Sequence, residues 1–210
     1  RKCRGTQSID RQCGGSASFA CSVKAQLHAG GRGKAGGVLL ARSAAEASTL
    51  AATLLGRRLA TKQTGPEGLP VSAVLLEARM DVSKELYLAM TIDRFNAQPM
   101  ALASARGGVD IEELAASEPS AILREPIDVA FGVTEESLAR LAGVLGLAGA
   151  QASACRDLVR AVWRLVESTD ASLIEINPLV VTEDGRLLAL DAKITLDDNA
   201  LFRHPDLSAW

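Results

Sequence analysis

The sequence lacks the features that mark membrane and secreted proteins. No apolar run reaches the roughly 18 residues that a membrane-spanning helix needs. The first residues carry several Arg and Lys side chains but not the apolar stretch of a signal peptide. We therefore expect a soluble protein with no membrane partner, located in the cytoplasm or, in a eukaryote, in an organelle matrix such as that of mitochondria.

Cysteine and histidine are also scarce. The four cysteines form no C-x-x-C pair and have no histidine nearby, which argues against a zinc site and against a disulfide framework. We expect the cysteines to be free thiols. The net charge of −2 disfavours a general nucleic-acid-binding surface, so no nucleic-acid partner is expected.

What the sequence does have is a glycine-rich segment at residues 23–38. Five of the eight residues from Gly30 to Gly37 are glycine, with Arg32 and Lys34 between them. Such a backbone can approach an anion closely and present its N–H groups to it. Because each glycine costs a helix about 1 kcal/mol relative to alanine, we predict a loop between strands at 19–27 and 38–41.

Three phosphate-binding motifs come close to this segment. A Walker A loop needs Ser or Thr after its Lys, but Ala35 follows Lys34. Residues 31–36 match G-x-G-x-x-G, yet no helix begins inside the motif and no acid follows at a dinucleotide fold's distance. The kinase glycine loop also fits, but His-Arg-Asp and Asp-Phe-Gly are missing. A flap over nucleotide phosphates remains, with a mobile basic hairpin or an RNA clamp as alternatives.

The rest of the chain alternates between strand and helix patterns. Residues 1–18 show no periodicity, and Ser43 to Glu46 form a capping box. We predict strands at 71–77, 85–92, 172–182 and 186–194, and helices at 44–55, 110–116, 134–145 and 151–167. This order is typical of a layered α/β or α+β enzyme.

The last two predicted strands are joined by a three-residue turn, residues 183–185, of the type that carries Gly in the left-handed position. Such a turn fixes the register of the strands that it joins. The register predicts Asn177 opposite Asp191 and Glu175 opposite Lys193, with all four side chains on one face.

This polar cluster suits a hard cation. Mg²⁺ is usually held by one or two protein carboxylates together with waters and nucleotide phosphates. The alternation also predicts Leu179 and Val181 on the same face, nearer the turn. A purely structural role, with Glu175 and Lys193 as an ion pair and Asn177 as a turn cap, is the alternative. A phosphate loop and a metal hairpin in one chain favour a nucleotide site.

Four blocks of sequence together resemble a known family: residues 23–38, 84–88, 175–180 and 199–207. In this order they resemble the ATP-grasp domain of the β subunit of ADP-forming acid–CoA ligases, with succinyl-CoA synthetase (succinate–CoA ligase) first and malate–CoA ligase second. The resemblance implies an α/β (α+β) ATP-grasp fold with two α/β subdomains, 21–78 and 79–210, and a nucleotide cleft between them. The segment 1–20 stays unassigned, and the family's C-terminal CoA-ligase domain is expected to be absent.

The resemblance also implies roles for individual residues. Mg²⁺ would be bound by Asn177 and Asp191, and Glu175 would orient a phosphorylated histidine brought by the partner subunit. The residues implied to contact phosphates, adenine and ribose are Lys24, then Gly31, Arg32 and Gly33 of the flap, then Glu77 and Glu85.

The implied activity is phosphoryl transfer between Mg-ATP/ADP, or GTP/GDP, and an acyl phosphate in the tricarboxylic acid cycle. It passes through a histidine of the α subunit, in a heterodimer or heterotetramer. His28 and His204 are therefore not that histidine; we expect a structural role for the first and a turn cap for the second. A malate–CoA ligase β subunit and a non-catalytic nucleotide-binding or assembly module are the alternatives.

Overall fold

The structure is a computed structural model that describes the backbone of Lys2–Cys3 and residues 20–208. Most of the unassigned segment predicted at 1–20 therefore lies outside the described residues. The chain divides into two compact units, the first ending at Met80 and the second beginning at Asp81. No helix among residues 20–208 is long and apolar enough to cross a membrane.

The first unit is an antiparallel sheet covered by one helix. The sheet has the order β1-β6-β2-β3, and β4 and β5 form a separate two-stranded ribbon. The strands are β1 Lys2–Cys3, β2 Cys21–Gln26, β3 Val38–Ala41, β4 Arg58–Leu59, β5 Leu69–Pro70 and β6 Ala73–Ala78, and the helix is α1 Ala44–Leu54.

Helix α1 begins at the predicted capping box. The Ser43 hydroxyl accepts from the Glu46 N–H over 3.1 Å, and the Glu46 carboxylate accepts from the N–H of Arg42 over 2.7 Å. Both bonds satisfy N–H groups at the start of the helix, where the backbone has no intrahelical acceptor. The buried face of α1 joins strand residues in one apolar core, which includes Val23, Ala25, Ala47, Ala51, Leu54, Leu59, Val71 and Val74.

The second unit is built on a six-stranded antiparallel sheet with the order β11-β10-β7-β8-β9, in which β12 also pairs with β10. Its strands are β7 Val82–Asp93, β8 Gln98–Ser104, β9 Leu123–Pro126, β10 Ala171–Thr182, β11 Leu187–Ala189 and β12 Ala192–Leu196. Its helices are α2 Ile111–Ser117, α3 Glu135–Val144, α4 Gly149–Thr169 and α5 Pro205–Ser208, with short 3₁₀ turns at Pro119–Ala121 and Asp198–Arg203.

Helices α3 and α4 cover one face of this sheet. Their buried residues, including Leu138, Leu141, Val159 and Trp163, share one core with the inward side chains of the central strands β7 and β10. This burial holds the two central strands rigidly, since apolar side chains removed from water stabilise the packing roughly in proportion to their area.

One prediction for strand β10 is wrong. Ile174 and Ile176 belong to the core, and so do Leu179 and Val181, although strict alternation would place the two pairs on opposite faces. The pairing of β10 with β7 shifts by one residue between Ile176 and Leu179. This irregularity turns Leu179 and Val181 into the core, away from the face that carries Glu175.

Candidate functional site

The glycine-rich segment forms a folded loop, residues 28–37, which we call the glycine loop. Its base is closed by three hydrogen bonds: Ala25 N–H to Gly37 O over 2.7 Å, Gly37 N–H to Arg32 O over 2.8 Å, and Arg32 Nη1 to Ala25 O over 2.8 Å. A side chain at Gly37 would place its Cβ 2.6 Å from Leu59 Cδ2. A residue other than glycine at this closure would therefore force the Leu59 side chain to move.

The outer part of the glycine loop presents backbone donors. Gly31 and Gly33 are exposed, and in the part of the chain that the structure describes their N–H groups donate to no protein acceptor. The N–H of Gly30, in contrast, donates to Gln63 Oε1 over 2.8 Å. Exposed donors on a glycine-rich turn can bind an anion, which the phosphate-flap interpretation needs.

Lys24 lies next to this loop, on strand β2. Its ammonium group forms an ion pair with the carboxylate of Glu77 on β6. The pairing follows from the register, because Ser22 is directly opposite Glu77 and Lys24 points to the same face two residues further on. The family resemblance implied that these two residues contact different parts of a nucleotide. The structure shows their charged groups paired with each other.

The hairpin formed by β10 with β11 and β12 has the predicted register. Glu175 is directly opposite Lys193 in the pairing of β10 with β12, and the N–H of Asn177 donates to the carbonyl of Asp191 over 3.1 Å. The pairing continues in the same register between β10 and β11 towards the turn. Asn177 and Asp191 are therefore neighbours on adjacent strands.

The side chain of Asn177 contacts a segment that the sequence analysis left unassigned. Its Oδ1 accepts from the N–H of Gly108 over 2.8 Å, and its Nδ2 donates to the carbonyl of Val109 over 3.0 Å. The same segment crosses strand β7, where Gly107 N–H donates to Glu85 O over 2.9 Å. We call residues 104–110 the diglycine loop.

Glu175 stands in a half-buried acidic environment. Burial raises the pKa of its carboxyl group, Lys193 lowers it, and the negative charge of Glu112 raises it. Burial likewise raises the pKa of the Tyr87 hydroxyl, and the charges of Glu175 and Glu112 add to the rise. Tyr87 is therefore a neutral phenol beside this carboxylate.

Sequence reasoning missed Tyr87, Glu112 and the diglycine loop. Tyr87 lies two residues after Glu85 on the same strand, so the alternation of side chains was a usable signal. Glu112 follows the Gly107–Gly108 pair and the Asp110 cap, whose carboxylate accepts from the N–H of Glu113 over 3.2 Å. A glycine pair just before a helix cap was the only local sign of a close backbone approach.

The two histidines and the described cysteines complete the set of residues that the sequence singled out. His28, in the glycine loop, is exposed. His204 stands at the C-cap of the 3₁₀ turn Asp198–Arg203, as predicted, and its Nε2 also lies 2.6 Å from Asp170 Oδ2. Cys21 and Cys155 are both buried, and Cys155 is a free thiol. Residues 20–208 contain no cluster of three or more His, Cys, Asp or Glu side chains that could hold a metal by itself.

Comparison with known proteins adds a family to this geometry. Residues 6–181 match the ATP-grasp domain family, a match that begins inside the segment for which the sequence analysis had no assignment. The chain is 49% identical over 185 residues to the ADP-forming succinate–CoA ligase subunit beta of Koribacter versatilis, covering 88% of this chain and 47% of that protein. It is 52% identical over 186 residues to the protein of the same name from Thioalkalivibrio sulfidiphilus, covering 89% and 48%.

Solved structures share the fold at lower identity. An ATP citrate lyase from Methanothrix soehngenii, in complex with citrate and coenzyme A, superimposes with a TM-score of 0.67 at 23% identity, over 88% of this chain and 40% of that one. A dinucleotide-forming acetyl-coenzyme A synthetase from Candidatus Korarchaeum cryptofilum gives 0.61 at 16% identity, over 94% and 84%.

The chain spans about half the length of the curated relatives named here. The match to the family covers most of the chain, however, and the mixed antiparallel sheets and helices agree with it. The predicted fold class is thereby confirmed, and the chain belongs to the ATP-grasp domain family.

Proposed function

We propose that this chain is the nucleotide-binding part of the β subunit of an ADP-forming succinate–CoA ligase. The proposal is supported by relatives of that name at about 50% identity over most of the chain. The choice of succinate over malate follows those names. In this proposal the chain binds Mg-ATP or Mg-ADP, or the guanine counterparts, and works with an α subunit that carries a phosphorylated histidine.

The phosphates of the nucleotide are assigned to the first unit. Lys24 supplies a positive charge that is nearly buried, at 9% exposure, where electrostatic interactions are screened less than in water. The exposed N–H groups of Gly31 and Gly33 supply backbone donors, and Arg32 lies between them. When a phosphate binds, the Lys24 ammonium interacts with both the phosphate and the Glu77 carboxylate. Glu77, the proposed adenine neighbour, therefore also influences how strongly Lys24 binds the phosphate.

The cation is assigned to the hairpin of the second unit. Asn177 and Asp191 offer one amide oxygen and one carboxylate from adjacent strands, a donor set that fits Mg²⁺ when phosphate oxygens and waters complete its shell. The bound ion would neutralise charge that develops on the phosphate oxygens during transfer. The contribution of the chain is to hold these two oxygen ligands at a fixed register.

Glu175 and Glu85 complete the proposed site. Glu85 would accept hydrogen bonds from the ribose hydroxyls. Glu175, on the same strand as Asn177, would accept a hydrogen bond from the histidine of the α subunit and hold its ring in place. Phosphoryl transfer needs positioning and charge neutralisation more than covalent chemistry from the protein, and these carboxylates supply the positioning.

The single observation that carries the proposal is the hairpin register, which sets Asn177 beside Asp191 and Glu175 opposite Lys193. A chain that used this hairpin only for stability would have no reason to place three oxygen-bearing side chains, Asn177, Asp191 and Glu175, at neighbouring positions on one strand pair. Apolar pairs would stabilise the sheet equally well.

The test is in two steps. Binding of ADP to the purified chain is measured by calorimetry with Mg²⁺ and with EDTA, for the wild type, Lys24→Ala and the surface control Lys84→Ala. We expect Mg²⁺-dependent binding that Lys24→Ala weakens by about tenfold to a hundredfold, since a charged hydrogen bond contributes about 1.5–3 kcal/mol. Lys84→Ala should bind as the wild type does.

In the second step the chain is mixed with the α subunit of an ADP-forming succinate–CoA ligase and with ATP labelled in its γ-phosphate. Label on an α-subunit histidine supports the ligase assignment. Nucleotide binding without labelled histidine would instead favour a non-catalytic nucleotide-binding module. No nucleotide binding at all would refute the proposal.

A further inference from the structure

We propose that the diglycine loop positions the side-chain amide of Asn177, so that its oxygen faces a cation and Asn fits this position better than Asp. The inference rests on the proposed function, because it takes Asn177 to be a metal ligand. All the contacts that support it lie within the second unit. These contacts join the Asn177 side chain to backbone groups of two consecutive loop residues, Gly108 and Val109.

The first argument is the closeness of the loop to strand β7. An added Cβ at Gly107 would lie 2.1 Å from Leu86 O, and one at Gly108 would lie 2.0 Å from Glu85 Oε2. Gly108 also has a φ of +67°, which side-chain-bearing residues rarely adopt. Only a glycine pair allows the loop to lie this close to the sheet, where its N–H reaches Asn177.

The second argument is the direction of the two hydrogen bonds. The N–H of Gly108 can only donate and the carbonyl of Val109 can only accept, so each fixes one end of the Asn177 amide. Rotating the amide by 180° would put two donors face to face and two acceptors face to face. An amide oxygen has two lone pairs. One lone pair of Oδ1 accepts the hydrogen bond from Gly108, which fixes the amide, and the other is available to a cation.

This arrangement makes a prediction opposite to that of simple electrostatics. Replacing Asn177 by Asp adds a negative charge, which alone should strengthen binding of a divalent cation. A carboxylate can still accept from Gly108, but its second oxygen would face the carbonyl of Val109 without a proton between them. The carboxylate would therefore rotate away from the Val109 carbonyl and lose its fixed orientation, so we expect Asn177→Asp to bind the cation more weakly than the wild type does.

The experiment measures the binding of Mn²⁺, a paramagnetic substitute for Mg²⁺, to the 210-residue chain in the presence of ADP, from the electron paramagnetic resonance signal of free Mn²⁺. The variants are Asn177→Asp and Gly108→Ala. The matched control is Gly146→Ala, whose glycine has nearly the same φ, +65°, and whose added Cβ would meet only Lys84 Nζ at 3.9 Å. It carries the same backbone strain without the clash.

We expect Asn177→Asp and Gly108→Ala each to raise the Kd for Mn²⁺ by about tenfold or more, the usual effect of losing a group that orients a metal ligand. Gly146→Ala should match the wild type. The melting temperature of each variant is measured in EDTA, so that a loss of Mn²⁺ binding is told apart from general destabilisation of the chain.

Two results would overturn the inference: Asn177→Asp binding Mn²⁺ as tightly as the wild type or more tightly, or Gly108→Ala behaving like Gly146→Ala. If either occurs while the wild type still shows metal-dependent ADP binding, the proposed function stands and only this inference fails. If the wild type binds ADP without any effect of Mn²⁺ or Mg²⁺, the metal assignment and the inference fail together.

Discussion

The backbone N–H of Asn177 donates to the backbone carbonyl of Asp191 over 3.1 Å, which places two oxygen-bearing side chains at the same level of adjacent strands. The hydrogen bond belongs to the backbone and does not depend on either side chain. Each side chain can therefore be exchanged without removing the pairing that holds the strands together.

Asp191→Ala should consequently weaken metal binding and leave the fold unchanged. We expect the Mg²⁺ concentration for half-maximal ADP binding to rise by at least about tenfold, because the carboxylate of the proposed pair is lost. The melting temperature should change little. Asp157→Ala on helix α4 is the control, since it removes an exposed carboxylate that pairs only with Arg160 among the residues described. An unchanged Mg²⁺ dependence in Asp191→Ala would exclude Asp191 as a ligand.

Gln63 holds the glycine loop from outside, through the bond from the Gly30 N–H to its Oε1 over 2.8 Å. Gln63→Ala should speed hydrogen exchange at the Gly30 amide and weaken ADP binding by about twofold to tenfold, as expected when a bond of about 0.5–1.5 kcal/mol is lost. Amide exchange followed by NMR and calorimetry measure the two effects.

The conservative variant Gln63→Glu keeps an acceptor for Gly30 and should restore slow exchange. Gln151→Ala serves as the control. Gln151 also forms a hydrogen bond to a turn, donating to the carbonyl of Gly185 over 3.3 Å, but this turn lies in the second unit and not in the glycine loop. If Gly30 exchanges at the wild-type rate in Gln63→Ala, Gln63 does not hold the loop.

Arg140 and Glu125 form an ion pair inside the second unit. Glu125 is 5% exposed, and its carboxylate accepts from Arg140 Nε over 2.9 Å and from the Ser137 hydroxyl over 2.7 Å. Arg140→Ala leaves this buried carboxylate with one fewer partner, and we expect the free energy of unfolding to fall by about 1–3 kcal/mol. Urea unfolding at pH 7 measures it.

The same pair has a pH signature. The hydrogen bond from Arg140 lowers the pKa of Glu125, so the stabilisation is present above the ordinary pKa of a glutamate and is lost as the pH falls through the lowered value. The difference between the wild type and Arg140→Ala should therefore shrink in acid. Arg160→Ala, which breaks surface ion pairs with Glu135 and Asp157, should cost less than about 1 kcal/mol. Equal costs for the two variants would contradict the argument.

The parts of the fold that the sequence predicted depend on local rules. A three-residue turn with glycine sets the register of the strands on either side, so the Glu175–Lys193 pairing followed from the sequence and is confirmed. Helix α1 was predicted from Ser43 and Glu46 because a capping box needs only neighbours along the chain.

What the sequence did not show depends on distant partners. The side of the sheet that Leu179 occupies is decided by a register shift against strand β7, which no pattern within β10 reveals. The ion pair of Lys24 with Glu77, and the bond of Asn177 to Gly108, join residues far apart in the chain. Alternation, capping and turn rules cannot predict such contacts, because these depend on how separate elements pack.

Asp170 links the end of helix α4 to the 3₁₀ turn Asp198–Arg203 and the residue that follows it. It has a φ of +51°, and its carboxylate accepts from Arg203 Nε over 2.6 Å and lies 2.6 Å from His204 Nε2. The hydrogen bond from Arg203, followed by that of His204, lowers the pKa of Asp170. Its stabilisation is therefore complete above the ordinary pKa of an aspartate, about 3.9, and is lost as the pH falls through the lowered value.

Asp170→Asn isolates this charge effect, because asparagine also tolerates the left-handed conformation that Asp170 adopts. We expect the wild type to be more stable than Asp170→Asn at pH 5, and the difference to shrink as the pH falls through the lowered pKa of Asp170. Urea unfolding across this range measures the difference, and Asp157→Asn provides an exposed aspartate for comparison. Wild-type and Asp170→Asn curves that stay parallel from pH 5 down through the titration of Asp170 would show that the carboxylate does not hold Arg203 and His204 in place, because a neutral amide would then serve equally well at every pH.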